Sequence, residues 1–231
     1  MKKTRPKKRS PRRSEDETRG VILVAARTVF MSYGFAAASV SGIAKEAGVS
    51  TKTIYRFFDT KTDILIDVIK SFLEVILPGF DRYDAHDAAS LESALRQLLR
   101  ELAEHGLSEN GNAANRLALA EIVRVPDMIA AYYREGHEKI IEGLARWLDR
   151  QRRAGLLKLD DPRMAAAMLL SMAFADLTRD ATVSNKPPSG AEIDRWVAGA
   201  VKIFLQGAGV PDAERMAPQA SPRKLRATAQ R

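Results

Sequence analysis

SVSGIAKEAGVSTKTIYRFF, residues 39–58, reads as helix, glycine turn, helix. Ser39 is placed as an N-cap, and Val40, Ile43, Ala44 and Ala47 recur at the spacing of one helical face. Gly48 permits the positive φ that ends this helix, and Ser50 caps a second one expected over residues 51–58. On that second helix Ile54, Phe57 and Phe58 share a face, while Lys52 and Arg56 lie roughly 160° and 200° from Ile54 and point away from it. Thr53 and Tyr55 fall on the flanks.

This length and punctuation are those of a helix-turn-helix, whose second helix enters the DNA major groove. Eight residues make a rod about 12 Å long, about the width of that groove. The outward side chains suit the task. Arg56 or Lys52 can bond guanine O6 and N7. Thr51, Thr53 and the Tyr55 hydroxyl suit phosphates or sugars, Ser50 presents a helix N-terminus that attracts an anion, and Lys61 suits a further phosphate. The same pattern also describes the solvated face of an ordinary small helix.

Further helices flank the unit. Ser14 and Glu17 have capping-box spacing, Ile22, Ala25, Ala26, Val29 and Phe30 form one stripe, and Gly34 is expected to close this helix in a left-handed cap with Phe35 behind it. Thr60 and Asp63 start a helix at Lys61 that ends at Pro78-Gly79. Five more are expected: from Ser90; over about 112–124; over about 127–153; from Asp161-Pro162 to about Thr182; and from Ser189 to about Gln206. The fold class is all-α, with nine helices.

TRGVILVAARTVFMSYGF followed by SVSGIAKEAGVSTKTIYRFFDTKTDIL, within about residues 16–70, resembles the N-terminal domain of TetR/AcrR-type transcriptional regulators. The Ala-Gly-Val-Ser turn, the Ile-Tyr-Arg-Phe-Phe helix and Lys61 stand at family spacing. The resemblance implies DNA contact by Ser50, Thr51, Lys52, Thr53, Tyr55, Arg56 and Lys61, with Tyr55 and Lys61 on phosphates; Ser39 completes the candidate set. Many family members carry Gly where this chain has Lys52, so a side-chain contact replaces close backbone approach there and family base preferences do not transfer.

Charge and composition agree. Of the 37 Lys and Arg in 231 residues, eight fall in residues 1–13 and five in residues 215–231, and neither stretch holds an acid; the rest of the chain is mildly acidic. The first stretch is expected to be a disordered basic arm along phosphates or a minor groove, or else a solubilising tail; the last is expected to be an inert tail. No apolar run is long enough to cross a membrane and the basic start lacks a signal-peptide core, so a cytoplasmic, nucleoid-associated protein is expected. No Cys, glycine-rich phosphate loop or His-x-x-x-His pair supports an enzyme, and His86, His105 and His137 lack metal-ligand spacing. No cofactor or metal is expected.

RLALAEIVRVPDMIAAYYREGHEKIIEGLARWLDRQRRAGLLKLDDPRMAAAMLLSMAFADL, residues 116–177, more loosely resembles the AefR-like subgroup. That resemblance implies a helical domain that binds a small molecule and dimerises through its last two helices. Small, Met and aromatic residues suit such an interface: Ala165, Ala166, Met168, Leu169, Met172, Ala173 and Ala175 on one helix, and Ile193, Trp196, Val197, Ala200, Val201 and Phe204 on the last. Tyr132, Trp147, Met168 and Phe174, with Tyr133, Met128, His105 and His137, are candidates to line a pocket for an apolar or amphipathic effector, although each also suits plain core packing. The expected partition is a basic arm over 1–14, a DNA-binding domain over 15–64, an effector and dimerisation domain over 65–208, and a tail over 209–231. The expected function is a repressor released from a palindromic operator by a small molecule. A DNA-binding protein without effector, an architectural protein and an activator are the alternatives.

Overall fold

The computed structural model describes residues 14–208 except Ile122; the expected arm over residues 1–13 and the tail over 209–231 lie outside the described residues. The helices are α1 (Glu15–Tyr33), α2 (Val40–Ala47), α3 (Thr51–Tyr55), α4 (Lys61–Ile76), α5 (Gly79–Arg82), α6 (Ala88–Gly106), α7 (Glu109–Glu121), α8 (Pro126–Tyr132), α9 (Glu138–Arg153), α10 (Pro162–Ser184) and α11 (Gly190–Ala208). A π-helical segment, Tyr133–His137, joins α8 to α9, so the single long helix expected over 127–153 is one rod with a widened turn in it. With that rod counted once, the nine expected helices are present, and the single-turn α5 adds to them.

Local chemistry sets most of the ends. Ser14 and Glu17 form the capping box on α1, and Thr60 and Asp63 form one on α4. Asp161 accepts from the Arg163 and Met164 amides with Pro162 in the first turn of α10. The cap of α6 lies three residues before Ser90, because Asp87 is the N-cap and Ser90 its reciprocal partner. Helix α3 is shorter than expected: after Tyr55 the Phe57 and Phe58 amides both turn back onto the Ile54 carbonyl, closing a tight turn. Gly34 has the positive φ expected, but at φ 79° and ψ 158° it occupies the region open essentially to glycine alone, not the left-handed helical cap.

Two apolar clusters hold the molecule. The first joins α1–α3 to Ile64, Leu65, Ile69 and Leu73 of α4, and takes in Ala118 of α7 with Met128 and Ile129 of α8. The second packs Ile76 and Phe80 against α6, α9, α10 and α11. The first core therefore runs past residue 64 and crosses onto the later helices, so α4 is shared between the two clusters. Burying apolar surface at about 25 cal/mol per Å² fixes α4 from both sides.

Candidate nucleic-acid interface and ligand cavity

The α2–α3 corner is built by three caps. Ser39 Oγ accepts from the Gly42 amide at 3.1 Å, and Ser50 Oγ accepts from the Thr53 amide at 3.1 Å while meeting the Thr53 hydroxyl at 2.9 Å. Between them Gly48, at φ 64° and ψ 33°, donates back to the Ala44 and Lys45 carbonyls. Underneath, Ile54 is fully buried and Phe58 nearly so, with Phe57 half-buried. Ser39, Ser50, Thr51, Lys52, Tyr55 and Arg56 are exposed, and Thr53 is half-buried. Thr51, Lys52, Tyr55 and Arg56 thus share an outward surface over an apolar floor.

Arg56 is held in place from two sides. Its guanidinium lies 4.8 Å over the Phe57 ring and 3.6 Å from Glu15 Oε1 on α1. Lys61 is not displayed as its sequence position suggested. Its Nζ donates to the carbonyls of Phe35 (2.6 Å), Ala36 (3.2 Å) and Ala38 (2.9 Å) and sits 4.5 Å over the Phe35 ring. Burial lowers the pKa of this ammonium, partly offset by the Glu121 carboxylate. Three carbonyls take up its three protons, so Lys61 ties α4 to the α1–α2 loop.

Behind this corner lies a cavity of about 480 Å³, walled by α1, α4, α6, α7, the α8–π–α9 rod and α10. That size accommodates a drug-sized ligand. Its walls are mainly apolar: Phe30, Leu65, Val68, Phe72, Leu102, Met128 and Ile140 among them. Polar groups are few. The Tyr132 hydroxyl donates to Asn115 Oδ1 at 2.8 Å, and burial, with a smaller contribution from Tyr133, pushes its pKa up to about 12. Asn110, His137, Ser171 and Thr178 complete the polar lining together with Arg27 of α1.

Of the residues proposed from sequence to line a pocket, Tyr132, Tyr133, Met128, His137 and Phe174 do so. Trp147, Met168 and His105 do not. Trp147 is wholly buried in the second core and its Nε1 donates to the Tyr83 carbonyl at 2.6 Å, a satisfied structural indole. Met168 is 56% exposed on the outside of α10, and His105 Nδ1 is paired with the Glu101 carbonyl on its own helix. Sequence reasoning missed the walls given by α1 and α4. The adjacent apolar pairs Ile64-Leu65 and Val68-Ile69 were the available signal, since neighbours about 100° apart widen a stripe beyond one contact face.

The residues expected at a dimer interface divide. Ala166, Leu169, Ala173, Ile193, Val197, Ala200, Val201 and Phe204 are consumed by the subunit's own core. Met168 and Met172 of α10 remain exposed, and two residues outside the expected set join them: Met164, one helical turn before Met168, and Ile203 of α11.

Comparison with known proteins agrees with this architecture. Residues 22–68 match the model for bacterial regulatory proteins of the tetR family, and residues 93–207 match the C-terminal domain of AefR-like transcriptional repressors. The HTH-type transcriptional activator FasR of Mycolicibacterium smegmatis is 35% identical over 72 residues, 31% of this chain and 33% of FasR, so the chain aligns with only a third of that relative. A solved TetR-family regulator from Mesorhizobium loti superposes with a TM-score of 0.75 at 26% identity, covering 86% of this chain and all of the other. The flavonoid-responsive regulator FrrA gives a TM-score of 0.66 at 27% identity over 84% of this chain and 98% of its own. A helix-turn-helix matched on its own residues, a C-terminal domain matched over residues 93–207 and a fold shared along nearly the whole described chain lead to one conclusion: the chain belongs to the TetR family of transcriptional regulators.

Proposed function

We propose that this regulator is a homodimeric repressor released from a palindromic operator when an apolar or amphipathic small molecule enters the cavity. The observation that carries the reading is the double use of α4. Leu65, Ile69 and Leu73 belong to the core under the helix-turn-helix and also line the cavity, so a ligand cannot press on that wall without loading the reading head. A ligand that binds the DNA-incompetent arrangement more tightly shifts the population toward it.

On DNA, Lys52 and Arg56 face base edges, and Thr51 and Tyr55 face phosphates. Ser39 and Ser50 aim their helices. The basic residues of 1–13 add phosphate neutralisation, which steepens the salt dependence of binding. The exposed methionine stripe of α10 and Ile203 of α11 supply the self-complementary face of a two-fold dimer in the cytoplasm. The likeness to a flavonoid-responsive regulator supports a small-molecule signal, and the activator name of FasR keeps activation as the second reading. The position of the operator relative to the promoter separates the two.

Selection of genomic fragments by the purified full chain tests the proposal. The expected result is a palindrome whose half-site centres are about 34–36 Å apart or a multiple of that. Retention of random DNA as strongly as of any selected fragment overturns it and favours an architectural protein.

A further inference from the structure

Glu121 is a carboxylate buried where no charge is expected. It ends α7, interrupts the apolar stripe of Leu117 and Ala118, and is only 4% exposed. Its Oε1 accepts from the Ala36 amide at 3.2 Å, 85 residues away in the α1–α2 loop. Its Oε2 is buried with no hydrogen-bond partner among the described residues. A buried, half-satisfied carboxylate is costly and calls for a purpose.

The surroundings supply one. Gly34 opens the same loop, in a conformation open essentially to glycine, and a Cβ there would stand 2.8 Å from Glu121 Oε1. Lys61 also grips the loop, through the carbonyls of Phe35, Ala36 and Ala38. The α1–α2 loop, which leads directly into the Ser39 cap of α2, is therefore held between a cation on α4 and an anion on α7. Both of those helices line the cavity.

We infer that Glu121 is a positioning residue, a latch through which α7 sets the placement of the α1–α2 loop and thereby passes cavity occupancy to the helix-turn-helix. This assignment rests on the effector-release reading above. With Oε1 on Ala36 the loop and α7 move as one body. A displacement of α7 by a cavity occupant either drags the loop or breaks a bond whose partner is already under-satisfied. The orphaned Oε2 keeps the latched state shallow, so a modest push opens it. Made or broken, this hydrogen bond supplies the two states that such coupling requires, and the test below reads them.

The chain has no cysteine, so a single introduced thiol can install an occupant without knowledge of the effector. Ser171 lines the cavity from α10. The full chain carrying Ser171→Cys is alkylated with N-benzylmaleimide, and its affinity for the selected operator is compared before and after reaction. With Glu121 intact, alkylation is expected to weaken operator binding about tenfold, in the usual range of coupling. Glu121→Ala removes the latch, and Glu121→Asp keeps the charge but withdraws it from Ala36; in both, the effect of alkylation falls below about twofold. Glu121→Gln retains an acceptor for the Ala36 amide and preserves the tenfold response. Hydrogen exchange at Ala36 accelerates in the Ala and Asp variants and not in Gln. If the response persists in both Ala and Asp, or if Ala36 exchange is the same in all four chains, the latch is overturned while effector release stands. If alkylation changes nothing with Glu121 intact, effector release falls and the latch with it. Glu121→Asp and Glu121→Gln keep the test decisive if Glu121→Ala does not fold.

Discussion

The chain changes direction or pitch within a helical run at two instructive places, the α2–α3 corner and the α8–π–α9 passage, and they are built in opposite ways. The corner is written into its own residues: Gly48 takes the left-handed turn, Ser39 and Ser50 cap the helices on either side, and Ile54 pins the second helix to the core. The passage has no side-chain cap and no positive φ. There the Glu138 amide reaches back to the Tyr133 carbonyl, Gly136 is buried against Ile69 of α4, and Tyr133 and His137 line the cavity in an edge-to-face pair 6.0 Å apart. Local chemistry makes the corner a rigid reading head. Tertiary packing makes the passage a wall of the cavity, and π segments of this kind recur at functional sites.

The contrast can be broken most severely at Ile54. Truncation to Ala deletes a fully buried side chain from the floor of the reading head and is expected to cost about 2–5 kcal/mol. Urea unfolding followed by far-UV circular dichroism measures it, and operator binding at fixed temperature should be lost in step. A cost under about 1 kcal/mol would show that the corner collapses easily and is not the rigid element described.

Arg56→Ala comes next. Loss of a base-reading guanidinium is expected to weaken operator binding by about 1–3 kcal/mol and to relax preference at one base pair. Anisotropy titrations against operator and scrambled duplexes check it. An equal loss on both would move Arg56 from base to phosphate contact.

Gly136→Ala probes the other side of the comparison. An added Cβ meets Ile69 Cγ2 at 3.4 Å, ordinary contact, and alanine favours a helix over glycine by about 1 kcal/mol. The variant is expected to gain up to about 1 kcal/mol in stability while its operator affinity responds less to a cavity occupant. The same Ala substitution at Gly48, where φ is positive, is expected to destabilise instead. Thermal melts of the two variants side by side distinguish a locally fixed turn from a packed one.

The same division explains what was legible beforehand. Caps, glycine turns and single-faced stripes are properties of neighbouring residues, so α1–α4, the Asp161-Pro162 start and the outward face of Lys52 and Arg56 could be read from the sequence. What could not be read depends on where other helices lie. The π segment, the shared role of α4, and the burial of Trp147 in the core instead of the cavity follow from packing. Lys61 is the sharpest case. Its position in the motif pointed outward to phosphate, yet the carbonyls that claim it come from a loop more than twenty residues earlier. Glu121 went unremarked in the sequence, because the partner that gives it meaning lies 85 residues away.

The smallest expected effect concerns the tuning of the reading face. Glu15 pairs with Arg56 at 3.6 Å, and both side chains are more than half exposed, so the pair contributes little to stability. Glu15→Gln is expected to shift the melting free energy by less than about 0.5 kcal/mol, including the slightly weaker fit of a neutral first turn to the α1 dipole. On DNA the sign reverses. Glu15 competes with the nucleic acid for the Arg56 guanidinium and repels phosphates, so its neutralisation should tighten operator binding about twofold at low salt. The gain should fade as salt shortens the Debye length from about 10 Å at 0.1 M to about 3 Å at 1 M. Anisotropy titrations across a salt series read both. Weaker binding at every salt would mean that Glu15 aims Arg56, and that the rigidity of the reading head extends from its buried floor to its exposed charge.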